Sequence, residues 1–137
     1  MFKIVPIHWT PKFLAALRIV AGLLFLAHGS VKVLGLPAGA APGPQPIFTL
    51  LGIGGLIELI GGALIVLGLF TRPTAVLLAG EMAVAYFMFH APKGFFPVLN
   101  GGEAAALYCF IFLYLAAAGP GAWSLDDLLE SRARRDA

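Results

Sequence analysis

One apolar stretch near the N-terminus, residues 13–36, most constrains what this chain can fold into. It reads FLAALRIVAGLLFLAHGSVKVLGL, which exceeds the length of about 20 residues that an α-helix needs to cross a bilayer. Yet the stretch carries Arg18, His28 and Lys32. A charge at the bilayer centre costs roughly 3 kcal/mol on insertion scales, so these groups must find partners or reach an interface.

The composition makes lipid the natural solvent for most of the chain. Hydrophobic residues form 60% of the 137 residues and charged residues 12%, against about 45–50% and about 25% in soluble domains. A chain this short has too much surface to hide that excess in a core. The net charge of +2, without a basic cluster interleaved with aromatic residues, predicts no nucleic-acid partner. The single cysteine, Cys109, weighs against a thiol–disulfide oxidoreductase.

The apolar segments predict an all-α protein, a four-transmembrane-helix bundle that forms one domain over residues 1–137. Loops rich in proline and glycine separate the segments, because no helix runs through them. A tight turn is expected at Thr71-Arg72-Pro73, and Ser124 is expected to cap an interfacial amphipathic helix over 123–135. We expect the spans at about residues 13–36, 47–70, 73–91 and 103–119.

Positive charges near the span ends predict the orientation in the membrane. Lys93 falls on one side, with Lys32 close by, and most other basic residues fall on the side of the termini. Because four spans put both ends on one side, we expect both termini in the cytoplasm. The basic residues on that side are Lys3, Lys12, Arg72, Arg132, Arg134 and Arg135.

Four ionisable residues are candidates for a buried polar site. At a rise of about 1.5 Å per residue, Glu58 and Glu81 lie near the bilayer midplane. His28 then lies roughly 5 Å toward the outer side and Arg18 roughly 10 Å toward the inner side. Intramembrane ionisable residues of this kind indicate a ligand-binding or proton-exchanging site by default.

Glycines in the second segment recur at a seven-residue step, which returns to nearly the same helix face. Small residues on one face let two helix backbones approach closely in lipid. Glu58 lies on that face, so we expect it at a packed surface and not against lipid. The two series are Gly54, Gly61 and Gly68, and Gly55 and Gly62.

Plainer roles stay open for all of these residues. Arg18 could extend to the cytoplasmic headgroups, and a midplane carboxyl could be protonated or form hydrogen bonds between helices.

A second group, named here the outer-mouth group, gathers near the outer ends of the spans, where an interfacial role would suffice. No metal site is expected, because the His and Glu residues lack ligand spacing. The outer-mouth group is Lys32, His90, Asn100 and Glu103.

Four stretches occur together in this order: LRIVAGLLFLAHGSVKVLG, GLIELIGGALIVLGLFTRPTAVLLAGEMAVAYFMFH, NGGEAAALY and GPGAWSLDDLL. Their combination, over about residues 14–129, resembles the DoxX family of small bacterial and archaeal membrane proteins. The resemblance implies a four-helix bundle in a plasma (inner) membrane. It also implies a link to quinone-coupled oxidoreduction, because the name-giving members are subunits of a thiosulfate:quinone oxidoreductase. It supplies no agreed catalytic roles.

Two hypotheses of different classes follow. In the first, the chain is an accessory or quinone-interacting subunit of a membrane redox system. Arg18, His28, Glu58 and Glu81 would bind a quinone headgroup or move its protons, and electrons would come from a protein partner or bound cofactor. In the second, the chain is a non-enzymatic scaffold or small transporter whose buried charges fix helix packing, and self-association or a partner provides the function.

Overall fold

The computed structural model describes residues 4–136, and the regular structure over that range is entirely helical. Lys3, one of the basic residues used to predict the orientation, lies outside the described residues. The expectation of an all-α chain is confirmed. The helices are α1 (Thr10–Leu34), α2 (Leu50–Leu67), α3 (Thr71–Ala85), α4 (Pro97–Asn100), α5 (Glu103–Ala118) and α6 (Leu125–Asp136).

Three helical stretches are long and apolar enough to cross a membrane. They are Ile7–Leu34, Leu50–Leu67 and Thr71–Lys93. The first is α1 with a short 3₁₀ turn before it, and Pro11 lies in the first turn of α1, where its missing N–H is tolerated. α5 is also apolar but is shorter, with 16 residues.

α2 is shorter than the expected span 47–70 because both of its ends are capped. At the N-terminus, the Thr49 hydroxyl oxygen accepts a hydrogen bond from the Gly52 N–H at 3.1 Å. At the C-terminus, Gly68 adopts a left-handed conformation with φ of 65°, which suits glycine and ends the helix.

The turn into α3 lies earlier than the sequence predicted. The chain reverses through Leu69 and Phe70, and Phe70 has a φ of 50°. α3 therefore begins at Thr71, so the expected turn at 71–73 is wrong. Pro73 fits the first turn of a helix, because the N–H that it lacks would have no intrahelical partner there.

The C-terminal part of the third stretch departs from α geometry. A π-helix over Tyr86–His90 and a 3₁₀ turn over Ala91–Lys93 follow α3 without a break. A π turn has i→i+5 hydrogen bonds and shifts the helical register of the residues that follow it. The direction of His90 relative to Glu81 therefore does not follow the geometry of one ideal α-helix.

α1 and α2 are antiparallel and in direct backbone contact. An ideal Cβ at Gly29 would collide with the Leu59 backbone nitrogen, and one at Gly62 would lie 2.6 Å from the Leu26 backbone nitrogen. The glycine face of α2 is thus a packed surface, as the seven-residue step predicted. Glu58 lies on it and is only 3% exposed.

The second helix pair, α3 and α5, packs through large apolar side chains. Leu78, Phe112 and Leu115 are fully buried between them. Gly61 joins the two pairs, because an ideal Cβ there would lie 2.7 Å from a Leu78 methyl carbon. Phe25 of α1 meets the edge of the Phe112 ring, with 4.9 Å between ring centroids.

Arg18 ties α1 to α2 and to the loop before α6. Its side chain is fully buried and donates five hydrogen bonds, all to backbone carbonyls. The Nη1 group donates to Ile65 at 2.8 Å and to Val66 at 2.6 Å, near the negative end of the α2 dipole. The remaining three bonds go to Pro120, Ala122 and Trp123.

Asp126 of α6 closes the same end of the bundle. Its carboxylate accepts hydrogen bonds from the N–H groups of Phe70 at 2.8 Å and Thr71 at 2.9 Å, at the start of α3. Burial alone raises the pKa of Asp126, but these donors and the positive charge of Arg18 outweigh burial and hold the pKa below its ordinary value. The expected cap of α6 is confirmed, since the Ser124 hydroxyl oxygen accepts from the N–H three residues later.

Replacing Gly29 with alanine tests the contact between α1 and α2. The added methyl meets the α2 backbone, which cannot yield as a side chain does, so we expect Gly29→Ala to lower the free energy of unfolding by about 1–3 kcal/mol. Gly80→Ala is the matched control, because no heavy atom of the described neighbours lies within 4 Å of an ideal Cβ there. Thermal unfolding in detergent compares the two variants, and equal midpoints would contradict the contact.

Candidate functional site

The polar centre of the bundle is an ion pair between Lys32 of α1 and Glu58 of α2. The Nζ–Oε1 distance is 2.6 Å, and the side chains are 17% and 4% exposed. The glycine contact brings the two residues together. Lys32 lies one turn after Gly29, Glu58 lies one turn after Gly55, and an ideal Cβ at Gly55 would lie 2.6 Å from the Lys32 Cβ.

Glu81 of α3 joins this pair from the opposite wall. It lines the same cleft as Lys32 and Glu58, and its Oε1 lies 3.2 Å from an ideal Cβ at Gly54 of α2. The second carboxylate oxygens of Glu58 and Glu81 are buried and have no hydrogen-bond partner among residues 4–136. Buried polar atoms are nearly always bonded, so these two oxygens are placed to meet a proton or a bound molecule.

The cleft lies between α2 and α3 and has a volume of about 500 Å³. Small-molecule sites typically occupy about 300–1,000 Å³. Lys32, Glu58 and Glu81 form its polar floor, and the rest of its lining is apolar. The apolar residues at its rim are exposed on the helix surface, so the cleft opens toward the hydrocarbon of a bilayer. These rim residues are Leu50, Ile53, Val76, Leu77 and Val84.

A second cavity, of about 300 Å³, opens between α1, α3 and α5. Lys32 and Glu58 line it as well, so the ion pair is common to both spaces. His28, His90 and Tyr108 supply the other polar groups of its wall. The His28 ring meets the Tyr108 ring edge-on, with 6.3 Å between ring centroids.

Two members of the outer-mouth group form the turn before α5. The Asn100 side chain is 3% exposed and donates to the Gly94 carbonyl at 2.8 Å, and its Oδ1 accepts from the Gly102 N–H at 2.7 Å. His90 Nδ1 lies 3.2 Å from the Asn100 carbonyl oxygen. Glu103 is exposed in the first turn of α5. The contacts of Asn100 and His90 stabilise the turn before α5. Of these two residues, only His90 lines a cavity.

The structure corrects which cation meets the buried carboxylates. The sequence analysis grouped Arg18 with Glu58 and Glu81 in one candidate site, but all five of the N–H donors of Arg18 bind backbone carbonyls near the N-terminal end of α1. Lys32, which we had placed at the outer mouth, pairs with Glu58 instead. His28 lies at the second cavity and not in the cleft.

The sequence did contain a signal for Lys32. Gly22 and Gly29 in α1 are seven residues apart, as are Gly55 and Gly62 in α2. Two helices with matching glycine steps pack along those steps. Lys32 would then be the cation that follows the α1 glycines, opposite the part of α2 that holds Glu58.

Comparison with known proteins fixes the family. The DoxX family profile matches residues 13–91, which is more than half of the chain. The chain belongs to the DoxX family. The matched region holds α2, α3 and all but the first three residues of α1, and with them the three charged residues of the cleft.

Three relatives of this DoxX protein align over most of their lengths. An uncharacterized protein of Haemophilus influenzae is 46% identical over 123 residues, covering 87% of this chain and 92% of the relative. The inner membrane protein YqjF of Escherichia coli is 32% identical over 130 residues, covering 84% of this chain and 90% of the relative. The uncharacterized membrane protein Rv3486 of Mycobacterium tuberculosis is 29% identical over 140 residues, covering 90% of this chain and 85% of the relative. No solved structure matches the chain. The family match and the relatives that are named membrane proteins show that this DoxX chain is an integral membrane protein.

Removing one partner of the ion pair tests its contribution to the fold. We expect Lys32→Met to destabilise this DoxX protein by about 3–5 kcal/mol, because it leaves the Glu58 carboxylate buried without its cation. The double variant Lys32→Met/Glu58→Gln should recover much of that loss. Lys93→Met, at an exposed lysine, is the control for loss of positive charge. If Lys32→Met unfolds at the same temperature as the wild type, the ion pair does not stabilise the fold.

Proposed function

We propose that this DoxX protein crosses the inner membrane four times, with α5 as the fourth span. The support is that α5 is apolar and packs along α3, which is itself long enough to cross. An E. coli relative is named an inner membrane protein. In this proposal α6 lies at the interface, with apolar residues toward lipid and arginines toward the headgroups. The exposed apolar residues of α6 are Leu125, Leu128 and Leu129, and Trp123, two residues before the helix, is exposed as well.

In this proposal both termini lie in the cytoplasm, because most basic residues near the span ends fall on their side, and reporter fusions test it. A fluorescent protein that folds only in the cytoplasm should be bright when fused after residue 137. Alkaline phosphatase, which is active only outside the cytoplasm, should be inactive there and active when inserted in the loop near Lys93. The reverse pattern, or a bright reporter at both positions, would overturn the four-span topology.

We also propose that the cleft between α2 and α3 binds the headgroup of a membrane quinone. One observation carries this proposal: an apolar cleft that opens toward hydrocarbon ends in Lys32, Glu58 and Glu81. A quinone is a flat ring on an apolar tail, and a molecule of this kind can enter from the lipid side. Its ring and tail would lie against the apolar walls, which agrees with the usual composition of ligand sites.

The polar floor of the cleft suits the two kinds of chemistry that a quinone needs. The Lys32 ammonium has further N–H donors beyond the one directed to Glu58, and these can bind a ring oxygen. The free oxygens of Glu58 and Glu81 can take up or supply protons. Interconversion of quinone and hydroquinone moves two electrons and two protons, and the two carboxylates would handle the protons.

In this proposal the chain is an accessory, quinone-interacting subunit of a membrane redox system. The residues assigned here bind the ring and exchange protons, and the electron transfer is assigned to a partner protein. Arg18 has no part in this site, and His28 contributes only through the second cavity.

A second candidate function is that of a scaffold or small transporter. Arg18 favours it, because that buried charge is used wholly to hold helix ends and a loop together. By the same logic, the Lys32–Glu58 pair would fix the register of α1 on α2. The two functions differ in one property, since only the first requires a ligand in the cleft.

Binding of a short-chain quinone analogue to the protein in nanodiscs tests the first function. We expect saturable binding by the wild type and a rise in Kd of about tenfold or more in Gly80→Phe. That variant fills the cleft from a position with open space around it. Glu103→Gln, an exposed carboxylate outside the cleft, is the control. Equal binding by all three proteins, or by none, would favour the scaffold or transporter.

A further inference from the structure

The floor of the cleft holds more hydrogen-bond acceptors than donors. Lys32 directs one N–H to Glu58 Oε1 at 2.6 Å. The other oxygen of Glu58, in a side chain that is 96% buried, has no partner among the described residues, and neither does Glu81 Oε2. The remaining residues that line the cleft are glycine, alanine, valine, leucine, isoleucine, methionine and phenylalanine. Their side chains carry no N–H or O–H group.

The charged group with a free oxygen on this floor is Glu58, which is ion-paired with Lys32 through its other oxygen. The other titratable side chains nearby, His28, His90 and Tyr108, line the second cavity and not the cleft. A molecule that brings donors to this floor gains hydrogen bonds to charged oxygens, which are about twice as strong as those between neutral groups. A molecule that brings only acceptors has Lys32 alone as a donor.

We infer that the cleft binds the reduced, hydroxyl-bearing form of the ring, a hydroquinone, more tightly than the oxidised quinone. This inference rests on the proposed function and deepens it. A hydroxyl group of a hydroquinone can donate to the free oxygen of Glu58, whereas a carbonyl oxygen of a quinone would face that ion-paired carboxylate as acceptor against acceptor. One charge-assisted hydrogen bond corresponds to a preference of about tenfold or more.

Binding alone moves no electrons, so the preference is measurable on the isolated protein. Tighter binding of the reduced form also raises the midpoint potential of the bound couple. For a two-electron couple, a tenfold preference corresponds to a shift of about 30 mV. A redox titration of the bound ligand therefore gives a second, independent readout.

The experiment measures the Kd of three matched compounds under anaerobic conditions at neutral pH. They are a short-chain quinone, its hydroquinone, and the dimethyl ether of that hydroquinone, which keeps the shape but lacks both O–H donors. We expect the hydroquinone to bind wild type about tenfold more tightly than the other two. Lys32→Met/Glu58→Gln should reduce that preference, because it replaces the ion-paired carboxylate by an amide that supplies donors. Glu103→Gln should keep it.

The outcomes separate the inference from the proposed function. Quinone binding equal to or tighter than hydroquinone binding would overturn the inference and leave the quinone site standing. A dimethyl ether that binds as tightly as the hydroquinone would overturn it in the same way. Failure of all three compounds to bind would overturn the proposed function itself. An alkylammonium of matched length that binds more tightly than the hydroquinone would show that the free acceptors serve a cation, which also overturns the inference.

Discussion

The closeness of α1 and α2 determines the position of the ion pair in the cleft, Lys32 and Glu58. Glycines at the contact allow the two backbones to touch, and only at that separation does the Lys32 ammonium reach the Glu58 carboxylate. The pair in turn stabilises the contact, because an isolated charge on either helix would be costly in hydrocarbon. A glycine contact and an ion pair, each of modest strength alone, therefore depend on one another.

The two ends of the bundle use buried charge in different ways. At one end, Arg18 and Asp126 satisfy helix ends and loop carbonyls, and no donor of the guanidinium is left over. At the other end, α2 and α3 leave a cleft, α3 continues into a π-helix, and two carboxylate oxygens have no partner in the described chain. Fully satisfied charges rigidify a fold, and the incompletely satisfied end is the one where we propose that a ligand binds.

Sequence reasoning predicted the helices well because hydrocarbon length and proline positions determine them directly. It missed the true ends of α2, which depend on the hydroxyl of Thr49 and the left-handed backbone of Gly68. It also interchanged the roles of Arg18 and Lys32. The partners of Arg18 include carbonyls of residues 120–123, and a main-chain carbonyl has no sequence signature. The partner of Lys32 was accessible from the glycine steps of both helices, but only when the two were read together.

The bonding of Arg18 has a consequence for how the chain is made. α1 precedes all of the partners of Arg18 along the chain, and its guanidinium has five N–H donors. Two of its partner carbonyls arrive with the end of α2, and the other three arrive only when residues 120–123 are translated. The bonding of this guanidinium is thus completed only by the segment just before α6, and a chain released before Pro120 would keep a partly bonded charge in α1.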